Sequence, residues 1–170
     1  MPAYVPPAMR KLKREVRRKT LVVPKIGNKY VVGKYKTTGE TTFFGGGCGS
    51  KNTNVNCALK ELRNESRHSI HNKNLKNLFT FEVNDRYRSK NERANNLERG
   101  LKVFSKYRVF SLSPKNSFNT IHKRFHAYTP RSSAEDEMSN IMLKNIKNLN
   151  KNSKVWVLIR NQVIPRIKRW

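Results

Sequence analysis

Acidic residues are scarce in this chain: 11 Asp and Glu stand against 37 Lys and Arg in 170 residues, a formal net charge of +26. A compact domain with that imbalance repels itself, so polyanions or acidic protein surfaces are its expected partners. Long apolar runs are also missing. Without about 18 consecutive apolar residues no transmembrane helix is expected, and no apolar stretch of a secretory signal follows the first residues. Cysteine is limited to Cys48 and Cys57, with no C-x-x-C spacing. This argues against a disulfide scaffold and for a reducing compartment. No internal repeat is present. A hydrophobic content of 36%, with 8 Phe, 6 Tyr and 2 Trp, is lean but sufficient for one core at single-domain length.

One segment concentrates the chemistry. Thr41-Thr42-Phe43-Phe44 reads as a strand entering Gly45-Gly46-Gly47, and Ala58 to Glu65 reads as a short helix. Glycine tolerates positive φ and the close approach of another backbone, so the triplet is expected to form a phosphate-binding loop. Residues four apart share a helix face, which puts the Glu61 and Glu65 carboxylates on one side with Asn64 beside them. Two carboxylates completed by substrate phosphates make a minimal Mg²⁺ site. The plainer alternative is a solvated face making local ion pairs.

These residues resemble the Nudix hydrolases, whose signature is G-x5-E-x7-R-E-U-x-E-E-x-G-U with U aliphatic. Gly46 takes the glycine, Lys60 the arginine, Glu61 the next glutamate, Leu62 the aliphatic position and Glu65 the second of the acidic pair. Asn52 and Asn64 stand where two glutamates are expected, and Arg67 and His68 replace the closing glycine and aliphatic residue. The resemblance extends to a hairpin of Thr20-Leu21-Val22-Val23-Pro24 and residues 29–35 around Gly27-Asn28, and to strands over 77–83 and 107–112. It implies an α+β fold, a Nudix-like α/β/α sandwich with a mixed sheet over residues 20–170. Ile141-Met142-Leu143 is expected in a short helix and residues 155–169 in a closing helix, with Trp156, Ile159, Val163 and Ile167 on its apolar face and Pro165 kinking or loosening it.

The resemblance also implies a chemistry. Mg²⁺ or Mn²⁺ would be the cofactor, Glu61 and Glu65 its ligands, Glu61 the group that orients or deprotonates water, and Lys60 its support. Asparagine at 64 leaves one ligand neutral and weakens the pull on a cation. A remote carboxylate would come from Glu82, Asp85, Glu135 or Glu137, of which Glu137 is the choice. The bland reading of residues 135–137 is an acidic helix start capped by Ser132 or Ser133. A zinc site from Cys48, Cys57, His68 and His71 has no spacing to fix it, and His122 with His126 reads as basic surface.

Residues 10–19 hold seven bases and one acid after a Pro-rich opening. They read as part of an extended basic arm over residues 1–19, with Arg10, Lys11, Lys13, Arg14, Arg17, Arg18 and Lys19 as polyanion contacts. Residues 84–101 read as an exposed insertion or a polar helix. Arg86-Tyr87-Arg88 and Phe104-Ser105-Lys106-Tyr107-Arg108 interleave aromatics with cations, a pattern suited to stacking bases, though strands with one buried face show it too. Two functions follow. The favoured one is a basic structural or polyanion-binding component with a degenerate Nudix box, in a nucleic-acid-rich assembly such as a virus particle. The other is an active metal-dependent hydrolase that cuts a diphosphate in a nucleotide derivative or RNA cap. Cytoplasm, nucleus or virion is the expected setting, and the Asn- and Lys-rich composition resembles that of large DNA viruses.

Overall fold

The computed structural model describes residues 11–50, 52–152 and 154–168. Its axis is strand β1 (Lys13–Ile26), which takes part in both sheet halves. Successive side chains on a strand face opposite ways, so a run of buried apolar residues serves two cores. Leu21 and Val23 join one core with Tyr30, Val32, Phe43 and Phe81, while Val22 joins the other with Phe44, Leu62, Phe110 and Phe125.

On one side β1 pairs antiparallel with β4 (Phe44–Gly47), and on the other it runs parallel to β6 (Leu101–Leu112) from Lys13↔Leu101 to Pro24↔Leu112. Strand β5 (Lys76–Val83) adds antiparallel to β6. At its far end β1 turns through Gly27-Asn28 into β2 (Lys29–Tyr35), which pairs with β3 (Thr41–Thr42) and β7 (Met138–Asn145). Gly27 supplies the left-handed φ of 61° that this tight turn requires. Helices α1 (Asn54–Glu65) and α3 (Phe118–Ala127) cover one core through Ala58, Leu62, Ile121 and Phe125. Helix α4 (Ile146–Lys151) and the closing helical segment cover the other through Leu149, Ile159, Val163 and Ile167. The polar helix expected within residues 84–101 is α2 (Lys90–Glu98). The result is the expected α/β/α sandwich around a mixed sheet.

Two expectations about local structure are corrected, and a third is met. Residues 13–19 are the first half of β1, held against β6 along their whole length, and do not form an arm outside the domain; residues 1–10 of the expected arm, including Arg10, lie outside the described residues. Ile141-Met142-Leu143 is in strand β7, where its ladder with Val31, Val32 and Gly33 decides between helix and strand. In the closing segment the Ile164 N–H reaches back five residues to the Ile159 carbonyl, so Ile159–Val163 forms a π-helical turn before α5 (Ile164–Ile167). Pro165 has no N–H to donate, and the wider turn accommodates it.

The third correction concerns the cysteines. Cys48, just past β4, and Cys57, on α1, are disulfide-bonded with their Cα atoms 5.6 Å apart. This removes the argument for a reducing compartment that rested on two unpaired thiols. Closing a loop of this length constrains the unfolded chain by about 2–3 kcal/mol. Reduction, or replacing both cysteines with serine, is therefore expected to lower Tm by roughly 5–10 °C in a calorimetric scan; an unchanged Tm would show that the bridge contributes nothing.

Candidate active site

Helix α1 starts at Thr53, whose side chain accepts the Asn56 N–H at 3.2 Å. Cys57, Ala58, Leu62 and Glu65 are on its buried side. Its end is unusual: Arg67 and His68 both hold left-handed backbone, with φ of 51° and 57°. Arg67 stands where the resemblance expects glycine, the residue that adopts this conformation without strain. Its guanidinium offsets the strain by donating to the carbonyls of Glu135 (3.2 Å) and Met138 (2.9 Å) and to Asp136 Oδ1 (3.2 Å), and by lying 4.3 Å from the Phe125 ring centre. His68 Nε2 meets Glu135 Oε2 at 2.7 Å. The Glu135 carboxylate also accepts from Tyr128 and from the Arg131 backbone, so this acid locks the α1 terminus to the segment before β7. These partners, the Arg131 N–H first and then His68, hold its carboxyl below the usual range.

Gly45, Gly46 and Gly47 belong to strand β4, opposite Leu21, Thr20 and Lys19, and none has positive φ. The expected loop is thus replaced by a strand. The demand for glycine has a different origin. A Cβ on Gly45 would sit 2.0 Å from the Thr20 carbonyl oxygen, and one on Gly46 would sit 2.8 Å from Glu61 Oε2. Gly47 faces open space.

Glu61 therefore lies directly over Gly46, and one turn later Glu65 Oε1 accepts the Gly45 N–H at 2.9 Å. Glu65 is only 1% exposed, and its second oxygen, Oε2, has no hydrogen-bond partner among the described residues. Burial pushes the Glu65 carboxyl well above its ordinary range; the Gly45 N–H opposes this, while Glu137 and Glu61 add to it. Burial and then Glu137 also raise Glu61, with Lys60 pulling the other way. Glu137 is itself raised by burial. The Lys36 N–H donates to the Glu137 carbonyl at 2.8 Å, just past the segment that Arg67 ties to the end of α1.

Lys60 is exposed, and Asn52 is on the approach to α1, where its carbonyl accepts from Arg18 at 3.0 Å. Tyr35 went unmarked by the sequence, yet its phenol is in the same neighbourhood: burial first, then Glu65 and Glu137, drive its pKa upward. No sequence signal singles it out from the other strand tyrosines. Of the remaining acids considered, Glu82 pairs with Arg14 on β5, away from this cluster.

A divalent cation fits here in a limited sense. Glu65 presents a buried oxygen with nothing to satisfy it, beside a second carboxylate, and hard cations take oxygen ligands. Among the described residues, however, no three His, Cys, Asp or Glu side chains form a ready-made metal cage. The fit is to two carboxylates, Glu61 and Glu65, completed by a substrate's own oxygens.

Neither a scan of family models nor a search of curated proteins gives a match. Solved structures do match. A NUDIX hydrolase from Nitrosomonas europaea superposes with TM-score 0.62 at 11% identity, over 91% of this chain and 90% of that one. A Bacillus subtilis pyrophosphohydrolase gives 0.58 at 15% over 90% and 82%, and a C. elegans Ap4A hydrolase gives 0.56 at 11% over 91% and 95%. The fold is Nudix-like across nearly the whole chain.

Proposed function

We propose that this chain is a divalent-cation-dependent hydrolase of a diphosphate linkage in a nucleotide derivative. The observation that carries the reading is the buried Glu65 carboxylate, with one oxygen fixed by the Gly45 N–H and the other unpartnered, beside Glu61 and within the influence of Glu137. A bound Mg²⁺ or Mn²⁺ would supply charge to stabilise the diphosphate as it breaks. The protein's own part is positioning and proton transfer. Strand β4 holds Glu65 through a backbone donor, so the carboxylate has one orientation. Glu61, held over Gly46 beside Glu65, is placed to take a proton from water and suits a general base. Water's oxygen bonds to phosphorus, its proton goes to Glu61, and the bridging oxygen leaves. Lys60 tunes Glu61 by its charge. The pyrophosphohydrolase and the Ap4A hydrolase among the solved neighbours support this class of substrate.

A second reading rests on Asn52 and Asn64, which remove two charges the family signature carries, and on the net charge of +26. In it the fold is kept as a basic component that binds polyanions or acidic protein surfaces within a nucleic-acid-rich assembly such as a virus particle. Incubating the full chain with Mn²⁺ or Mg²⁺ and a nucleotide sugar, a dinucleoside polyphosphate or capped RNA separates the two. Cation-dependent turnover that falls about 10²–10⁴-fold in Glu61→Gln supports the hydrolase. No product and no cation uptake would leave the second reading.

A further inference from the structure

Residues 13–19 and the aromatic-cationic run of β6 meet in one place that the hydrolase reading does not use. The parallel register sets Arg14 beside Lys102, Val16 beside Phe104 and Arg18 beside Lys106. Alternate residues on a strand share a face, about 6.6 Å apart along it, so all six are on the same side of the sheet. Arg108 continues the row beside Thr20. The residues between them, Val103, Ser105 and Tyr107, are buried on the opposite side, where Arg88 donates to Ser105 Oγ at 2.9 Å. Val16 is 41% exposed, which leaves this half of the face open to solvent, whereas α1 and α3 cover the half continuing through Val22 and Phe110.

The composition of this open face is specific. At its centre is an apolar pair, Val16 and Phe104, and cations surround it. Arg14 and Lys102 lie over the Phe104 ring at 4.7 and 5.6 Å from its centre. Glu82, opposite Lys106 on β5, is engaged by Arg14. Among the described residues Lys102, Lys106 and Arg108 form no ion pair. At the border Arg18 donates to the Asn52 carbonyl and to Asn54 Oδ1 at 2.7 Å, so it anchors the start of α1 to the edge of the face.

We propose that this face of β1 and β6 is a binding platform for single-stranded nucleic acid, with Phe104 and the Arg14 guanidinium as stacking surfaces and Lys102, Lys106 and Arg108 as phosphate contacts. A sheet that offers an aromatic ring among rows of cations suits unpaired bases, whose π-faces are free, whereas a duplex hides those faces in its own stack. Charge complementarity selects a polyanion, and the central ring selects one with accessible planar groups. The proposed contacts include none of Glu61, Glu65 and Glu137, although Arg108, Thr20 and Gly46 share one cross-strand row that ends under Glu61, so the binding test reads residues other than those of the hydrolysis assay.

The experiment is fluorescence anisotropy of the full chain with a labelled single strand of about twelve nucleotides, repeated between about 50 and 200 mM salt and with the matching duplex. Phe104→Ala is expected to weaken single-strand binding about tenfold or more, and Phe104→Tyr to restore it. Lys102→Ala with Lys106→Ala should flatten the slope of log affinity against log salt by about 1.4, the contribution of two phosphate contacts on a single strand. Lys147→Ala with Lys151→Ala, on α4, should change little. If circular dichroism shows Phe104→Ala to be unfolded, the contrast between the two lysine pairs decides for or against the platform. Unchanged affinity in well-folded Phe104→Ala, or equal losses from the two lysine pairs, would overturn the proposal. So would Phe104-dependent binding of poly-glutamate with no such dependence for the oligonucleotide, which would assign the face to an acidic protein.

Discussion

Gly45→Ala is expected to destabilise the protein by about 3–5 kcal/mol, lowering Tm by roughly 10 °C or more. The added methyl would sit 2.0 Å from the Thr20 carbonyl oxygen, a backbone atom. Thr20 cannot retreat, because β1 is clamped on its other side by the parallel ladder with β6. The same shift would pull the Gly45 N–H away from Glu65, so activity should fall with stability. The two neighbouring glycines separate the causes. Gly46→Ala meets only the end of the Glu61 side chain, which can rotate, so it should leave Tm nearly intact while displacing the carboxylate and depressing turnover. Gly47→Ala meets open space and should be close to neutral. Equal Tm values for Gly45→Ala and Gly47→Ala in a thermal melt would show that β4 is not held as described.

Glu65→Gln is expected to abolish turnover and, without divalent cation, to make the protein more stable at neutral pH. The buried oxygen has no partner, and an unsatisfied buried polar group costs about 1–3 kcal/mol, more when charged. Burial raises the folded-state pKa of Glu65 above the unfolded value. Its favourable contribution is therefore complete below the unfolded carboxylate pKa of about 4.3 and is lost as pH rises through the higher folded value. The amide carries no charge at any pH, so Glu65→Gln should match wild type in acid and exceed it by about 5 °C in Tm near pH 7. Adding Mn²⁺ should raise the wild-type Tm and leave the variant unmoved, since only a group that binds the ion in the folded state gains from it. A variant that melts lower than wild type at every pH would refute the account of Glu65 as an uncompensated charge.

What could be read from the sequence was local. The hairpin at Gly27-Asn28, the short strand that follows it, the polar helix near residue 95 and the shared face of Glu61 and Glu65 all depend on neighbours within a few residues, and the structure places each as expected. What could not be read depends on distant partners. Residues 13–19 look like a solvated arm because their charges carry no burial signal, and only the ladder with residues 101–107, far along the chain, makes them a strand. The three glycines invite a loop because the Thr20 carbonyl and the Glu61 carboxylate that require them are invisible in one dimension. Ile141-Met142-Leu143 is too short a run to show a period. Glu137 entered as a candidate because three of only 11 acids cluster at residues 135–137, and its influence on Glu61 and Glu65 emerges only from the folded arrangement.

The bridge between Cys48 and Cys57 has a topological consequence as well as an energetic one. It closes the backbone between strand β4 and helix α1 into a covalent ring. A single cut in the segment between the two cysteines would open the ring without dividing the molecule. The portion bearing the glycine strand and the portion bearing both helix carboxylates would remain one covalent species until the bridge was reduced.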